Sequence, residues 1–86
     1  MASRAALRLL ERMRRSPRGW HADDLDRLYR GFGFDMEEGG KHRLYIHPVH
    51  TDLRATVTRH TSVPVGYMTH AVNMIEELER LEGATR

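Results

Sequence analysis

The spacing of apolar positions changes character twice along the chain, from helical to alternating near residue 34 and back to helical after residue 63. Ala6, Leu9, Leu10 and Met13 recur at helical spacing behind Ser3, a fair N-cap, and predict a helix through about Arg15. Ser16-Pro17-Arg18-Gly19 stops it. Ala22, Leu25, Leu28, Tyr29 and Phe32 form a second stripe and predict a helix from about Ala22 to Arg30. Aspartates favour its first turn, and Gly31 and Gly33 close it.

Phe34-Asp35-Met36-Glu37 then alternates apolar and acidic, as a half-buried strand does, and Glu38-Gly39-Gly40 supplies a hairpin turn. His42 through His47 reads as a second strand ended by Pro48. Leu53 through Thr58 reads as a third, with Leu53, Ala55 and Val57 on one face and Arg54, Thr56 and Thr58 on the other. Pro64 and Gly66 introduce a last helix, whose Met68, Ala71, Val72, Ile75, Leu78 and Leu81 form a stripe long enough to cover a three-stranded sheet. The predicted order is α-α-β-β-β-α: an α+β sandwich, a three-stranded antiparallel meander with its helices on one face.

A chain of 86 residues is expected to form a single domain, residues 1–86, with one site. Its 40% hydrophobic and 30% charged residues are those of a globular protein. No apolar run approaches a membrane span, and Arg8, Glu11 and Arg12 interrupt the N-terminal leucines where a secretion signal would need an unbroken core. A cytoplasmic location away from membranes is expected. Absence of cysteine excludes a disulfide framework and thiolate chemistry. The net charge is only +2, but residues 1–20 hold six arginines against Glu11, and Lys41, Arg43, Arg54 and Arg59 face only Asp52 over residues 39–70. The acidic residues gather elsewhere, around Asp23–Asp26, Asp35–Glu38 and Glu76–Glu82, so one side of the protein should attract a polyanion and another repel it.

Within that basic middle, Gly39-Gly40-Lys41-His42-Arg43 sets an imidazole at the tight end of a hairpin between two cations. Imidazole has the side-chain pKa nearest neutrality, so it can give or take a proton in RNA cleavage without a metal. His42 is the candidate acid or base, Lys41 and Arg43 the candidate phosphate stabilisers, and His60 or Arg59 a candidate second participant. Arg54 and Arg59 would add phosphate contacts with little sequence reading and a steep salt dependence. Strand parity leaves two alternatives, because His42, Leu44 and Ile46 share one face and Arg43, Tyr45 and His47 the other. Either His42 lies at a frayed strand end or Tyr45 is the inward residue.

From Gly33 to Leu78 the chain resembles the HicA toxin family, small bacterial ribonucleases with a fold like the double-stranded RNA-binding domain. The resemblance rests on Gly33-Phe34, on Gly40-Lys41-His42-Arg43 followed by Tyr45 and His47-Pro48, on Val57-Thr58-Arg59-His60, and on Val63-Pro64-Val65-Gly66-Tyr67 before the last helix. Lys41 stands where the family prefers serine, and Thr58 where it often has proline. The resemblance implies an endoribonuclease (mRNA interferase) acting on mRNA at His42, neutralised by a HicB-like antitoxin, with residues 1–20 as an N-terminal helical extension. Lysine beside His42 would favour the neutral imidazole by like-charge repulsion, and could bind the scissile phosphate.

Two other functions fit the residues. One is an RNA-binding module without catalysis, with Lys41 marking a degenerate site; the other is an interaction protein whose arginine-rich first helix docks to an acidic partner. His47-Pro48-Val49-His50 places two imidazoles three apart, but no cysteine or third histidine is bound to converge on them. A solvated loop is expected there, with no metal and no other cofactor. His21 and His70 receive no role, and Trp20, Tyr29 and Tyr67 are expected in the core rather than stacked on bases.

Overall fold

Ser3 Oγ accepts the Ala6 amide at 3.1 Å and starts the first helix, α1 (Arg4–Arg15). In the second, α2 (Ala22–Gly31), the Asp24 carboxylate accepts the His21 amide at 2.9 Å. The structure, a computed structural model, describes residues 3–58 and 62–84. After α2 come β1 (Asp35–Gly39), β2 (His42–Ile46) and β3 (Arg54–Thr58), and then α3 (Val65–Ala84). The strands form one antiparallel sheet in the order β1-β2-β3, so the α+β architecture is the one that the apolar spacing predicts.

Gly39 pairs with His42, which leaves Gly40 and Lys41 as a two-residue hairpin turn. Gly40 has φ +60° and Lys41 does not share the positive φ, the pattern of a type II′ turn. Glycine is needed at the first position because a side chain there costs about 1–2 kcal/mol.

The buried apolar residues make one cluster drawn from every helix and from the inward faces of β2 and β3. From α3 it takes Met68, Ala71, Met74, Ile75 and Leu78, with Val72 and Leu81 packed at its edge. Ala6, Leu10 and Met13 of α1 belong to the same cluster, so α1 contributes its apolar face to the core. Their partners are α2 and α3. Gly31 makes the approach of α1 to α2 possible, since a Cβ there would lie 2.6 Å from Ala6 Cβ. On the surface, Arg14 Nη2 meets Glu76 Oε2 at 2.8 Å and ties α1 to α3, an exposed pair worth up to about 1 kcal/mol.

Candidate nucleic-acid interface

Tyr45 decides which way β2 faces. Its ring is fully buried and stacks on Tyr29 of α2 with centroids 4.8 Å apart, and its hydroxyl donates to Asp26 Oδ1 at 2.7 Å. Burial and the Asp26 carboxylate raise the Tyr45 phenol above its usual pKa, with Arg43 acting the other way. Burial, and then Tyr45, raise that of Tyr29. Both phenols therefore stay protonated at neutral pH. Of the two alternatives left by parity, Tyr45 is the inward residue.

Alternation then sends His42, Leu44 and Ile46 to the opposite, open face of the sheet. There His42 is flanked by Gly39 and Thr58, Leu44 by Glu37 and Thr56, and Ile46 by Asp35 and Arg54. The open face thus has a half-buried apolar middle, an acidic strand on one side, and a strand of hydroxyls and one arginine on the other. A polyanion is favoured over β2 and β3 and repelled from β1.

The residues expected to act together are only partly brought together. Lys41 is exposed in the turn and adjoins exposed His42 at the last pair of the sheet. Arg43 lies on the helix side with Tyr45, where Nη1 is 3.4 Å from Asp23 Oδ1 and Nε 3.4 Å from Glu38 Oε1. In this arrangement it fastens β2 to the start of α2 and does not share a face with His42. Arg54 is on the open face, but its Nε and Nη2 donate to the Thr51 carbonyl at 3.3 and 3.1 Å. It stands four residues from Thr58, roughly 13 Å along the strand, from the His42 end. Arg59 and His60 lie outside the described residues.

His47 is expected in a solvated loop, and instead it is 4% exposed. Its ring meets Phe34 edge-on at 5.2 Å, and its Nδ1 accepts the amides of Val49 and His50 at 3.2 and 3.0 Å. The loop closes through its backbone, His47 N to Leu53 O at 3.0 Å and Leu53 N to His50 O at 2.9 Å. A lone pair already shared by two amides is not offered to a metal, and among the described residues no group of three or more metal-binding side chains converges. Burial, and then the neighbouring His50, lower the pKa of His47, against weaker opposite effects of Glu82 and Asp35.

A lowered folded-state pKa means that the unfolded chain binds the proton more tightly. The stabilising contribution is therefore complete above the unfolded value of about 6.5 and is lost as pH falls through the folded value. Protonation of Nδ1 would also break both amide contacts. Denaturant titrations from about pH 8 to pH 5 should show the wild type losing stability relative to His47→Asn, which keeps an acceptor for the two amides but does not titrate. Parallel curves for the two proteins would contradict this role for His47.

Comparison with known proteins gives no match, whether to a family model, to a curated protein or to a solved structure. No helix among the described residues is long and apolar enough to cross a membrane. Two features of the site escape a reading of the sequence by single elements. The Arg43 contacts depend on Asp23, twenty residues away on another element, and the burial of His47 depends on how the loop to Leu53 closes.

Proposed function

We propose that the chain is a toxin-like RNA endonuclease, an mRNA interferase of a toxin–antitoxin pair, with His42 as its proton carrier. The observation that carries this is the placement of His42: exposed, on the open sheet face, at the hairpin end beside Lys41 and across from Thr58. The resemblance of the Gly33–Leu78 segment to the HicA toxins supports the same reaction. The 2′-oxygen attacks the adjacent phosphorus as its proton passes to a base, and the bond from phosphorus to the 5′-oxygen breaks as that oxygen takes a proton from an acid. A 2′,3′-cyclic phosphate and a 5′-hydroxyl result. His42 serves one of these transfers, and His60, two residues beyond Thr58 in the chain, is the candidate for the other. Lys41 stabilises charge on the phosphoryl oxygens. Arg54 holds the backbone farther along the strand, and the Arg43 role passes to the sheet. A HicB-like antitoxin would silence the enzyme by covering the His42 end.

Protein treated with a chelator is expected to cleave a single-stranded RNA and to leave the same sequence as DNA intact, because the nucleophile is the 2′-hydroxyl. Cleavage of both, or of RNA only after a divalent metal is added, would contradict the mechanism. Lys41, which stands beside His42 where the HicA toxins prefer serine, favours a second function, an RNA-binding module without catalysis. Salt-sensitive binding of uncleaved RNA would be its signature.

A further inference from the structure

Arg4, Arg8, Arg12 and Arg15 fall at i, i+4, i+8 and i+11, a line along α1 on the side away from buried Ala6, Leu10 and Met13. Arg12 and Arg15 suit the last turn of the helix, but the N-terminal half of the line does not serve it. Arg4 stands at its positive end, where the first turn has no acidic residue, and the steps from Arg4 to Arg8 and from Arg8 to Arg12 set like charges one turn apart. Two open grooves flank it. One, of about 450 Å³, is lined by Arg8, Arg12 and Arg27; the other, of about 400 Å³, by Arg12, Arg15, Arg18 and Trp20. Arg12 lines both, so the two adjoin at its side chain and together make a basic trough, and neither is lined by a carboxylate. Among the described residues Arg27 is paired with Asp24, and Arg15 lies 3.9 Å from Glu11, while Arg8 and Arg18 have no ion-pair partner.

The contents of the trough favour a nucleic-acid strand over an acidic protein. Its cations are all guanidinium groups, suited to two-point contact with phosphate, and Arg8 and Arg15 lie about 10 Å apart along the helix axis. Trp20, partly exposed among them, has the Arg12 guanidinium 5.3 Å from its ring centroid and its indole N–H on the Ser16 carbonyl at 2.6 Å. The ring also packs against the core, so a base of any identity can stack on it in the place that the Arg12 guanidinium takes in the free protein. The Trp20 end lies at the hairpin end of the molecule, on the helix side of the sheet, so a strand leaving the trough rounds the end of the sheet to reach His42 on the open face. The Val63 amide donates to the Trp20 carbonyl at 3.0 Å, and Asp23, at the start of α2, meets Arg43 of β2.

We infer that the arginine trough beside α1 is a binding path for single-stranded RNA, holding the strand whose scissile phosphate lies at His42. The inference rests on the endonuclease proposed above. It gives α1 a function besides its part in the core: to hold flanking nucleotides by their phosphates, with one base against Trp20.

Trp20 is the only tryptophan, so its emission reports on the trough and not on the sheet. The test is titration of the full chain with a 2′-O-methyl single-stranded RNA, which binds but cannot be cleaved, at several salt concentrations. Trp20 emission should change on binding. Arg8→Gln/Arg18→Gln should bind roughly tenfold more weakly, with the salt slope reduced by about 1.4 for two lost phosphate contacts. Arg80→Gln on α3, which removes one charge as Arg18→Gln alone does, should bind as the wild type does. Thermal melting of the double variant should be unchanged or raised, which separates binding from folding; Arg18→Gln alone lies outside α1 and provides the same test without touching the helix. Unchanged affinity and slope in the double variant would overturn the inference whether or not His42 cleaves RNA. Equal affinity for polyglutamate of the same charge would overturn it too, in favour of an acidic protein partner. Loss of cleavage in His42→Ala with the Trp20 response intact would support the trough, and a wild type that binds there without ever cleaving RNA would leave the trough standing while the endonuclease reading falls.

Discussion

Tyr45→Ala is expected to lower the stability of the protein by about 3–5 kcal/mol, the range for removing a fully buried aromatic ring. A chain of 86 residues has only about 4–13 kcal/mol to lose, so the variant should sit near its unfolding midpoint in mild denaturant. The loss has three sources: a cavity beneath α2, the end of the stack on Tyr29, and removal of the hydroxyl from Asp26. Tyr45→Phe separates them. It keeps the ring and loses only the hydrogen bond, at about 1.5 kcal/mol, because Asp26 Oδ1 still receives Arg30 Nε at 3.0 Å. Urea unfolding of the three proteins is the measurement. The consequence reaches the site, since the inward anchoring of Tyr45 is what sends His42 outward. A Tyr45→Ala protein with the wild-type midpoint would mean that β2 presents its other face to the core.

The Tyr45 case also shows what a sequence can and cannot tell about this fold. Helix starts are local events, and Ser3 and the Asp24 carboxylate sit where the spacing of Ala6, Leu10, Leu25 and Leu28 places them. The three strands follow from alternation, although β1 runs on through Glu38 and Gly39 to the turn because its pairing with β2 continues there. Buried Met74 of α3 falls outside the expected stripe, since its position is core only when α1 and α2 flank the helix as they do. The same lack of partner information applies to α1: Ala6, Leu10 and Met13 declare an apolar face but not that α2 and α3 cover it. Gly31 reads as a helix stop, and its closeness to Ala6 is visible only in three dimensions. For the site, parity narrows β2 to two orientations, and a buried tyrosine chooses between them. The tie of Arg43 to Asp23 joins two elements and leaves no trace in either one alone.

The second large effect concerns activity. His42→Ala should reduce RNA cleavage by about 10²–10⁴-fold, the usual contribution of a positioned acid or base, equivalent to about 3–5 kcal/mol of transition-state stabilisation. Its fold should be untouched, because the side chain is exposed and its strand neighbours are Gly39 and Thr58. Unfolding curves superposing on those of the wild type would separate this variant from Tyr45→Ala, in which activity and stability should fall together. Lys41→Gln should give a smaller loss, since the turn holds Lys41 beside the histidine without fixing its side chain, and the loss should diminish at high salt. A loss independent of salt would point to a geometric role for Lys41 instead.

The measurement that bears most directly on His42 as the centre of an RNA endonuclease is growth of bacteria after induction of the wild-type chain or His42→Ala, with total mRNA integrity read in the same cultures. Growth arrest with degraded mRNA for the wild type, and neither for the variant at equal folded-protein levels, is the expected result. Equal mRNA degradation by the two proteins, or intact mRNA with both of them folded, would contradict it.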